Sequence, residues 1–238
     1  MERFANRDVC DLTIVDYVTK KPFLFVDFAN VTSSELTGES VYAYGGHNHP
    51  KRVTFNGERS GTLTVETQIQ TFSLYQMITG GEISNSAKYI KREVLTAASG
   101  LAIASAPVDG SVNVFRYDDD CGTEIECTVS ETSVTSDELV DGEKYIVYYL
   151  QNVETATSIS IGANNFPKAV TIYGETFMKT EEEEIIPYKM IAWKAQPQSN
   201  ASFSFSNTGD PQTLTITFDL MADTQNGDKI LDLIMENN

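Results

Sequence analysis

The sequence predicts a mainly β fold, a β-sandwich or partial barrel with one short flanking α-helix. Three observations predict it: residues 201–206 and 213–220 alternate apolar and small polar side chains, similar runs recur from Val112 onward, and the one substantial helical period is at residues 69–78. Alternation with a period of two is typical of half-buried strands, whereas apolar residues three or four apart are typical of a helix. The composition, 41% hydrophobic and 21% charged, is that of a globular chain.

The two alternating runs near the C-terminus predict a β-hairpin whose turn is formed by residues 207–211. Successive strand side chains leave on opposite faces, so this hairpin has one apolar and one hydroxylated face. Residues 62–68 show the same arrangement, and we therefore expect the two ribbons to share one polar lining. The apolar faces of the two ribbons carry Leu63, Val65, Phe203, Phe205, Leu214, Ile216 and Phe218.

A second hairpin is predicted in the N-terminal half. Residues 41–44 lead into a bend at Gly45 and Gly46, a loop reaches Pro50, and residues 52–55 form the next strand. Asn56 and Gly57 follow, a dipeptide typical of two-residue hairpin turns, so the sequence places a turn there.

The helix and the tail complete the elements. The helical segment is closed by Gly80 and Gly81, because glycine commonly ends helices in a left-handed conformation. Residues 228–235 carry four large apolar side chains, and their pattern leaves both a short helix and a final strand open. We expect one domain over residues 1–238, with an insertion or enlarged outer lobe at about 95–180.

The charge of the chain excludes tight binding to nucleic acid. There are 17 Lys and Arg residues against 34 Asp and Glu, a formal net charge of −17, and the sequence pI is about 4.4. Proteins that bind the phosphates of nucleic acids need clustered basic side chains, which this chain lacks. We read its three cysteines as reduced thiols, because they are too few for a disulfide framework. We expect neither a secretory signal in residues 1–11 nor a membrane span.

Candidate catalytic chemistry is sparse. His47 and His49 lie two residues apart without a third ligand nearby, so we interpret them as loop residues and not as a metal site. The four consecutive glutamates at 181–184 and the three aspartates at 118–120 are typical of solvated loop tips. A charged contact to a partner stays the alternative for the glutamates, and calcium binding stays the alternative for the aspartates. None of the common nucleotide-binding or nucleophile motifs occurs. We therefore predict no enzyme activity, no catalytic residues, no cofactor and no metal.

Both ends of the chain resemble the tail tube proteins of long-tailed bacteriophages. The N-terminal resemblance rests on residues 39–46, on Asn48, on residues 50–52 with Phe55, and on residues 60–67; the C-terminal one rests on residues 209–219. The middle of the chain matches loosely. The resemblance implies β-sandwich subunits that form hexameric rings, each contributing strands to an inner β-barrel, with the rings stacked into a tube.

The same resemblance implies partners and a location. The tube conducts DNA only in transit, contains the tape-measure protein, and joins tail sheath, tail terminator and baseplate proteins in the virion tail after assembly in the host cytoplasm. Residues expected to line the channel are Thr62, Thr64, Glu66, Gln68, Ser202, Ser204, Thr213, Thr215, Thr217 and Asp219. The apolar faces of the ribbons are then expected to pack against an outer sheet and the helix. If the hydroxylated faces point outward instead, the channel assignment inverts. Residues expected in an inter-subunit loop are Tyr42, Tyr44, Gly45, Gly46, His47 and His49.

A second function class stays open, a binding module. An acidic β-sandwich acting as a surface adhesin or decoration protein would recognise carbohydrate or protein through Tyr145, Tyr148 and Tyr149. A glycan-cleaving enzyme is the third class, and the spacing of the carboxylates does not support it.

Overall fold

The chain folds into two compact units. The computed structural model describes residues 3–207, 209 and 211–235. Unit 1 comprises the chain up to Glu82 and from Ile159 onward, and unit 2 comprises Ile83–Ser158. Unit 2 begins and ends earlier than the segment of about 95–180 that the sequence analysis marked as an insertion or enlarged outer lobe.

Strands account for most of the regular structure, as predicted. In chain order the first nine are β1 (Phe4–Ala5), β2 (Asp11–Asp16), β3 (Pro22–Val26), β4 (Ala29–Tyr44), β5 (Lys51–Thr67), β6 (Glu82–Ser84), β7 (Ala87–Thr96), β8 (Leu101–Ala102) and β9 (Asn113–Arg116). The others are β10 (Thr128–Ser130), β11 (Ser133–Thr135), β12 (Lys144–Val153), β13 (Ser158–Ser160), β14 (Val170–Thr180), β15 (Ile185–Pro197), β16 (Leu214–Met221) and β17 (Leu231–Met235). The helices are α1 (Phe72–Thr79) and a 3₁₀ turn, Thr224–Asn226. The prediction of a mainly β, sandwich-like fold with one short α-helix is confirmed.

Unit 1 is built on a nine-stranded antiparallel sheet. Seven strands follow the order β3-β2-β14-β15-β16-β5-β4, while β1 pairs with β14 and β17 pairs with β15. The sequence left both a helix and a strand open for the tail, and the structure shows a strand there, β17, which pairs with Tyr188–Ala192 of β15. β6 and β13 form a separate two-stranded sheet.

Helix α1 covers the apolar side of this sheet. Leu74, Met77 and Ile78 are buried in the same core as Ile216 and Phe218. The Thr71 hydroxyl accepts a hydrogen bond from the Leu74 amide at 3.2 Å, which satisfies one of the free donors of the first turn. Gly80 ends the helix at φ 68°, as the sequence predicted.

Replacing Thr71 by Ala should lower the free energy of unfolding of unit 1 by about 1 kcal/mol, the usual cost of a lost N-cap. Thr71→Ser keeps the accepting oxygen and is the matched control, expected to lie within about 0.5 kcal/mol of the wild type. Urea titration followed by tryptophan fluorescence measures both, because the single tryptophan, Trp193, lies in β15 of unit 1. Equal losses in the two variants would show that the cap contributes nothing.

The predicted C-terminal hairpin is wrong in its first arm. Residues 201–206 form no strand, and two residues of the expected turn, Thr208 and Asp210, lie outside the described residues. The real partners of β16 are β5 along Leu214–Leu220 and the end of β15 through Lys194–Pro197. Because these two strands occupy both edges of β16 around Phe218, the alternating segment 201–206 makes no ladder with it there.

The turn expected at Asn56 and Gly57 is also wrong. Both residues lie inside β5, where the register shifts between Gly38 and Ser40, so this is a bulge in a long ladder. The chain reverses instead at the loop that the sequence placed after Gly45, where the Gly45 amide donates to the Pro50 carbonyl at 3.3 Å. Asn-Gly permits a turn, but the continued pairing of β4 with β5 keeps it in the strand.

A buried carboxylate holds the loop after β16. Asp223 is fully buried and accepts hydrogen bonds from the Tyr17 hydroxyl at 2.6 Å, the Gln225 amide at 3.0 Å and the Asn226 side chain at 2.6 Å. These bonds, the one from Tyr17 above all, lower the pKa of Asp223 below its ordinary value. Lys20 lies 4.1 Å from the centroid of the Tyr17 ring.

Tyr17→Phe should lower the Tm at pH 7 by roughly 2–4 °C, because it removes the hydroxyl and keeps the ring under Lys20. The folded pKa of Asp223 is depressed, so its stabilisation is present above the unfolded pKa near 4 and is lost as pH falls through the folded pKa. The gap between wild type and variant should therefore shrink below about pH 4. Melting curves from pH 7 to pH 2.5 test this, and a gap that is constant with pH contradicts it.

Unit 2 has its own core between two three-stranded sheets. Their strand orders are β7-β12-β9 and β10-β11-β8. Its buried residues include Val114, Val134, Tyr145 and Val147.

The three cysteines are free thiols, as predicted. Burial is the main reason why the pKa of Cys10 in unit 1 rises to about 11.

Candidate functional site

The two polar ribbons predicted from the sequence are neighbouring strands with their hydroxylated sides on one face. In the ladder between β5 and β16, Thr62 lies opposite Asp219, Thr64 opposite Thr217, and Glu66 opposite Thr215. Directly opposite residues of an antiparallel pair point to the same side of the sheet. Six of the ten residues expected to line a channel therefore form one continuous surface, which we call the polar face.

The other four predicted lining residues lie off this ladder. Gln68 and Thr213 are exposed just beyond the ends of β5 and β16. Ser202 and Ser204 lie in the irregular segment before β16, where the Gln212 side chain bonds the Ser202 carbonyl at 3.1 Å and the Ser204 amide at 3.2 Å. The sequence analysis placed Ser202 and Ser204 on the channel lining because residues 201–206 alternate apolar and polar side chains, but this segment forms no strand.

β4 and β15 extend the polar face with residues that the sequence analysis missed. Ser33 lies opposite Thr64 and Glu35 opposite Thr62 on β4. Gln196 lies opposite Asp219 on β15, and Gln198 donates to the Asp219 carboxylate at 2.7 Å. Residues 30–36 do not alternate apolar and polar side chains, so no periodic signal marked this part of β4 as a strand. With Glu35, Glu66 and Asp219, the polar face carries three carboxylates.

The opposite side of the same strands is the core of unit 1. Leu63, Val65, Leu214, Ile216 and Phe218 are buried there, as expected. Phe203 is exposed but contacts the helix, as expected: its ring makes a T-shaped contact with Tyr75 of α1, with centroids 5.1 Å apart. Phe205 is 97% exposed, and its placement against the sheet and the helix was wrong because segment 201–206 does not join the sheet.

A long two-stranded arm extends the β4–β5 hairpin beyond the core. We call residues 36–60 the hairpin arm; Lys51–Ser60 are all exposed, and so are residues 36–41. Its nine-residue strand 36–44 spans roughly 30 Å at about 3.3 Å per residue. The arm is thus attached to the sheet at one end only and has no core of its own.

One face of the arm near its loop is apolar and uncovered. Val41 pairs with Phe55 and Ala43 pairs with Val53, so these four side chains share a side. Val41 is 66% exposed and Phe55 is 59% exposed. Residues 40–57, the arm tip, contain Lys51, Arg52 and both histidines but no carboxylate. The sequence analysis predicted a strand at residues 52–55, which lies in β5, but it did not predict that the apolar face of this strand is exposed.

The residues predicted for an inter-subunit loop lie at the other side and the end of the arm tip. Tyr42 is half-buried under Lys51, whose Nζ is 3.7 Å from the ring centroid, and Tyr44 is exposed. The Gly45 carbonyl accepts from Arg52 Nε at 3.3 Å. Gly46, with φ 92°, and the exposed His47 and His49 complete the turn.

A model of the YomU/Tube protein family matches residues 6–231. The chain belongs to this family. No curated protein matches it. Membership makes it a phage structural protein of the tube type, a component of a phage virion, and this indicates a non-enzymatic role.

The side chains that could bind a metal are dispersed in the described part of this YomU/Tube protein. Among the described residues, no three His, Cys, Asp or Glu side chains are grouped closely enough to hold a metal ion. Asp119 accepts from the Thr123 amide at 3.0 Å, and Asp120 pairs with Arg92 at 2.9 Å, so the aspartate run organises its own loop. In the described part of the chain, no helix has the length and hydropathy to cross a membrane.

Of the three tyrosines proposed for a binding module, only Tyr148 reaches the surface of unit 2. Tyr145 and Tyr149 are buried in its core. The Tyr148 hydroxyl donates to Asp120 at 2.8 Å and accepts from Arg92 Nε at 3.0 Å. The hydrogen bond from Arg92 is the main cause that lowers the pKa of Asp120. This network ties β7, β12 and the aspartate loop together within the unit.

Proposed function

We propose that this YomU/Tube protein assembles as hexameric rings that stack into the tail tube of a long-tailed phage. The tube is a channel for DNA in transit and for the tape-measure protein, and it lies in the virion tail after assembly in the host cytoplasm. Further proposed partners are the tail sheath, tail terminator and baseplate proteins. No step of this function needs a membrane or a cofactor.

The observation that carries the proposal is the hairpin arm. A two-stranded ribbon is marginally stable in water on its own, and an uncovered apolar patch marks an interaction surface. The arm presents Val41, Val53 and Phe55 roughly 17–23 Å from its root in the sheet. A tube built from many copies of one chain supplies a partner for every arm.

The polar face suits the lining of the channel. Its threonines and Ser33 are hydrated and uncharged, while Glu35, Glu66 and Asp219 repel phosphates, so DNA passes without being bound. β4 and β3 are the end strands of the sheet in the described structure. Joining such edges between subunits into an inter-subunit barrel would remove unpaired backbone groups that otherwise promote aggregation.

Negative-stain electron microscopy of the purified chain, alone and with tail initiator proteins, tests the proposal. Stacked sixfold rings with an open channel are expected. Thr217→Cys in a Cys121→Ser background, labelled with gold before assembly, should place density inside the channel. Label on the outer wall would overturn the lining assignment, and monomers that stay unassembled with initiators would favour the surface adhesin or decoration protein instead.

A further inference from the structure

The loop between β14 and β15 is the most concentrated charge on the chain. Residues 181–184 are four consecutive exposed glutamates. Arg3 lies 3.3 Å from Glu181, and Lys179 lies 3.9 Å from Glu183. Glu182 and Glu184 have no ion-pair partner within the described residues. The loop therefore keeps a net negative charge that the described residues of unit 1 do not neutralise.

An uncovered apolar surface adjoins these glutamates. Phe177 pairs with Pro187 and Lys179 pairs with Ile185, so Phe177 and Ile185 lie on the same side of the hairpin. Phe177 is 55% exposed and Ile185 is 66% exposed. We call Phe177, residues 181–184 and Ile185 the acidic end.

The acidic end and the arm tip carry opposite net charge beside exposed apolar side chains. The first has four glutamates, two of them paired with Arg3 and Lys179, and the second has Lys51 and Arg52 and no carboxylate. The chain as a whole carries −17, so two copies repel each other at most orientations. A contact that joins the basic, apolar arm tip to the acidic, apolar end is the orientation that the charges favour.

We propose that the arm tip of one copy docks on the acidic end of a second copy. Phe55 and Val53 then cover Phe177 and Ile185. Lys51, which stacks on Tyr42 at the other side of the arm in the single copy, leaves that ring and joins Arg52 against Glu182 and Glu184. The apolar contact provides most of the affinity, and the charges set the register and speed association. Two different surfaces of the same chain are used, so the contact is head-to-tail and propagates into rings or filaments. The proposal rests on the self-association put forward under the proposed function.

Paired charge reversal tests the contact on the full chain. Variant Lys51→Glu/Arg52→Glu makes the tip acidic, and variant Glu182→Lys/Glu184→Lys makes the acidic end basic, because Arg3 and Lys179 already neutralise the other two glutamates. Each variant alone should need at least about tenfold more protein to assemble, since like charges then meet. An equimolar mixture of the two should assemble like the wild type, because every tip then meets an end of opposite charge in the other variant.

Sedimentation velocity gives the size of the assemblies, and electron microscopy gives their form. Lys88→Glu/Arg116→Glu is the matched control: it reverses one lysine and one arginine, both exposed on unit 2, and should leave assembly unchanged. If the wild type forms tubes and neither reversal changes assembly, the contact is wrong and the tube function stands. If the mixture restores head-to-tail oligomers that are not tubes, the contact stands and the tube function fails. A wild type that stays monomeric overturns both.

Discussion

Exchanging Val53 and Phe55 for threonine should leave the fold unchanged and prevent assembly at concentrations where the wild type assembles. Covering a valine or phenylalanine side chain is worth about 1.5–3 kcal/mol, so losing this pair raises the required concentration roughly a hundredfold or more. Threonine favours strands as valine does, which keeps the arm paired with β4. Both residues are exposed in the single copy, so the melting temperature should stay within about 2 °C.

The matched control for the arm is Tyr117→Thr with Val140→Thr. These side chains are similarly exposed, at 55% and 54%, and they belong to unit 2. Light scattering over a concentration series compares the two double variants with the wild type. If the control lowers assembly as much as the arm variant, the effect belongs to surface hydrophobicity in general and not to the arm tip.

Phe218→Ala should cost about 3–5 kcal/mol of the free energy of unfolding of unit 1. The Phe218 side chain is fully buried in β16 and lies on the core side of the sheet with Leu63, Val65 and Ile216. Removing the ring loses its transfer free energy and leaves a cavity that packed strands cannot fill. Chemical denaturation followed by the fluorescence of Trp193 reports on unit 1 directly.

Phe205→Ala is the control for the core. It makes the same chemical change at a side chain that is almost entirely exposed, so the free energy of unfolding should move by less than about 0.5 kcal/mol. The sequence assigned Phe205 and Phe218 to one apolar face, and the structure separates them. Equal losses in the two variants would contradict that separation.

Local patterns predicted the elements whose partners lie nearby in the chain. The helix at Phe72–Thr79 followed from its apolar period and from Gly80, because capping and periodicity act within a few residues. The loop after Gly45 was also correct. The turn at Asn56 failed because the dipeptide only permits a reversal, and the long pairing of β4 with β5 outweighs it.

The candidate site was predicted in part for the same reason. Alternation in residues 62–68 and 213–220 shows which side chains share a face, so Thr62, Thr64, Thr215 and Thr217 were identified correctly as one polar surface of their strands. Alternation does not show which strand lies next to which. Glu35 and Gln196 were therefore missed, since they join the polar face only through sheet order.

The sequence by itself determined the β class of this protein, its acidic character, the α-helix before Gly80 and the two-faced nature of β5 and β16. These properties depend on side-chain chemistry and on contacts within a few residues. Tertiary structure decided that β5 and β16 are neighbours, that residues 201–206 stay outside the sheet, and that the hairpin arm leaves Val41, Val53 and Phe55 uncovered. Those outcomes depend on which strands occupy each sheet edge, a competition between segments far apart in the chain that no local pattern records.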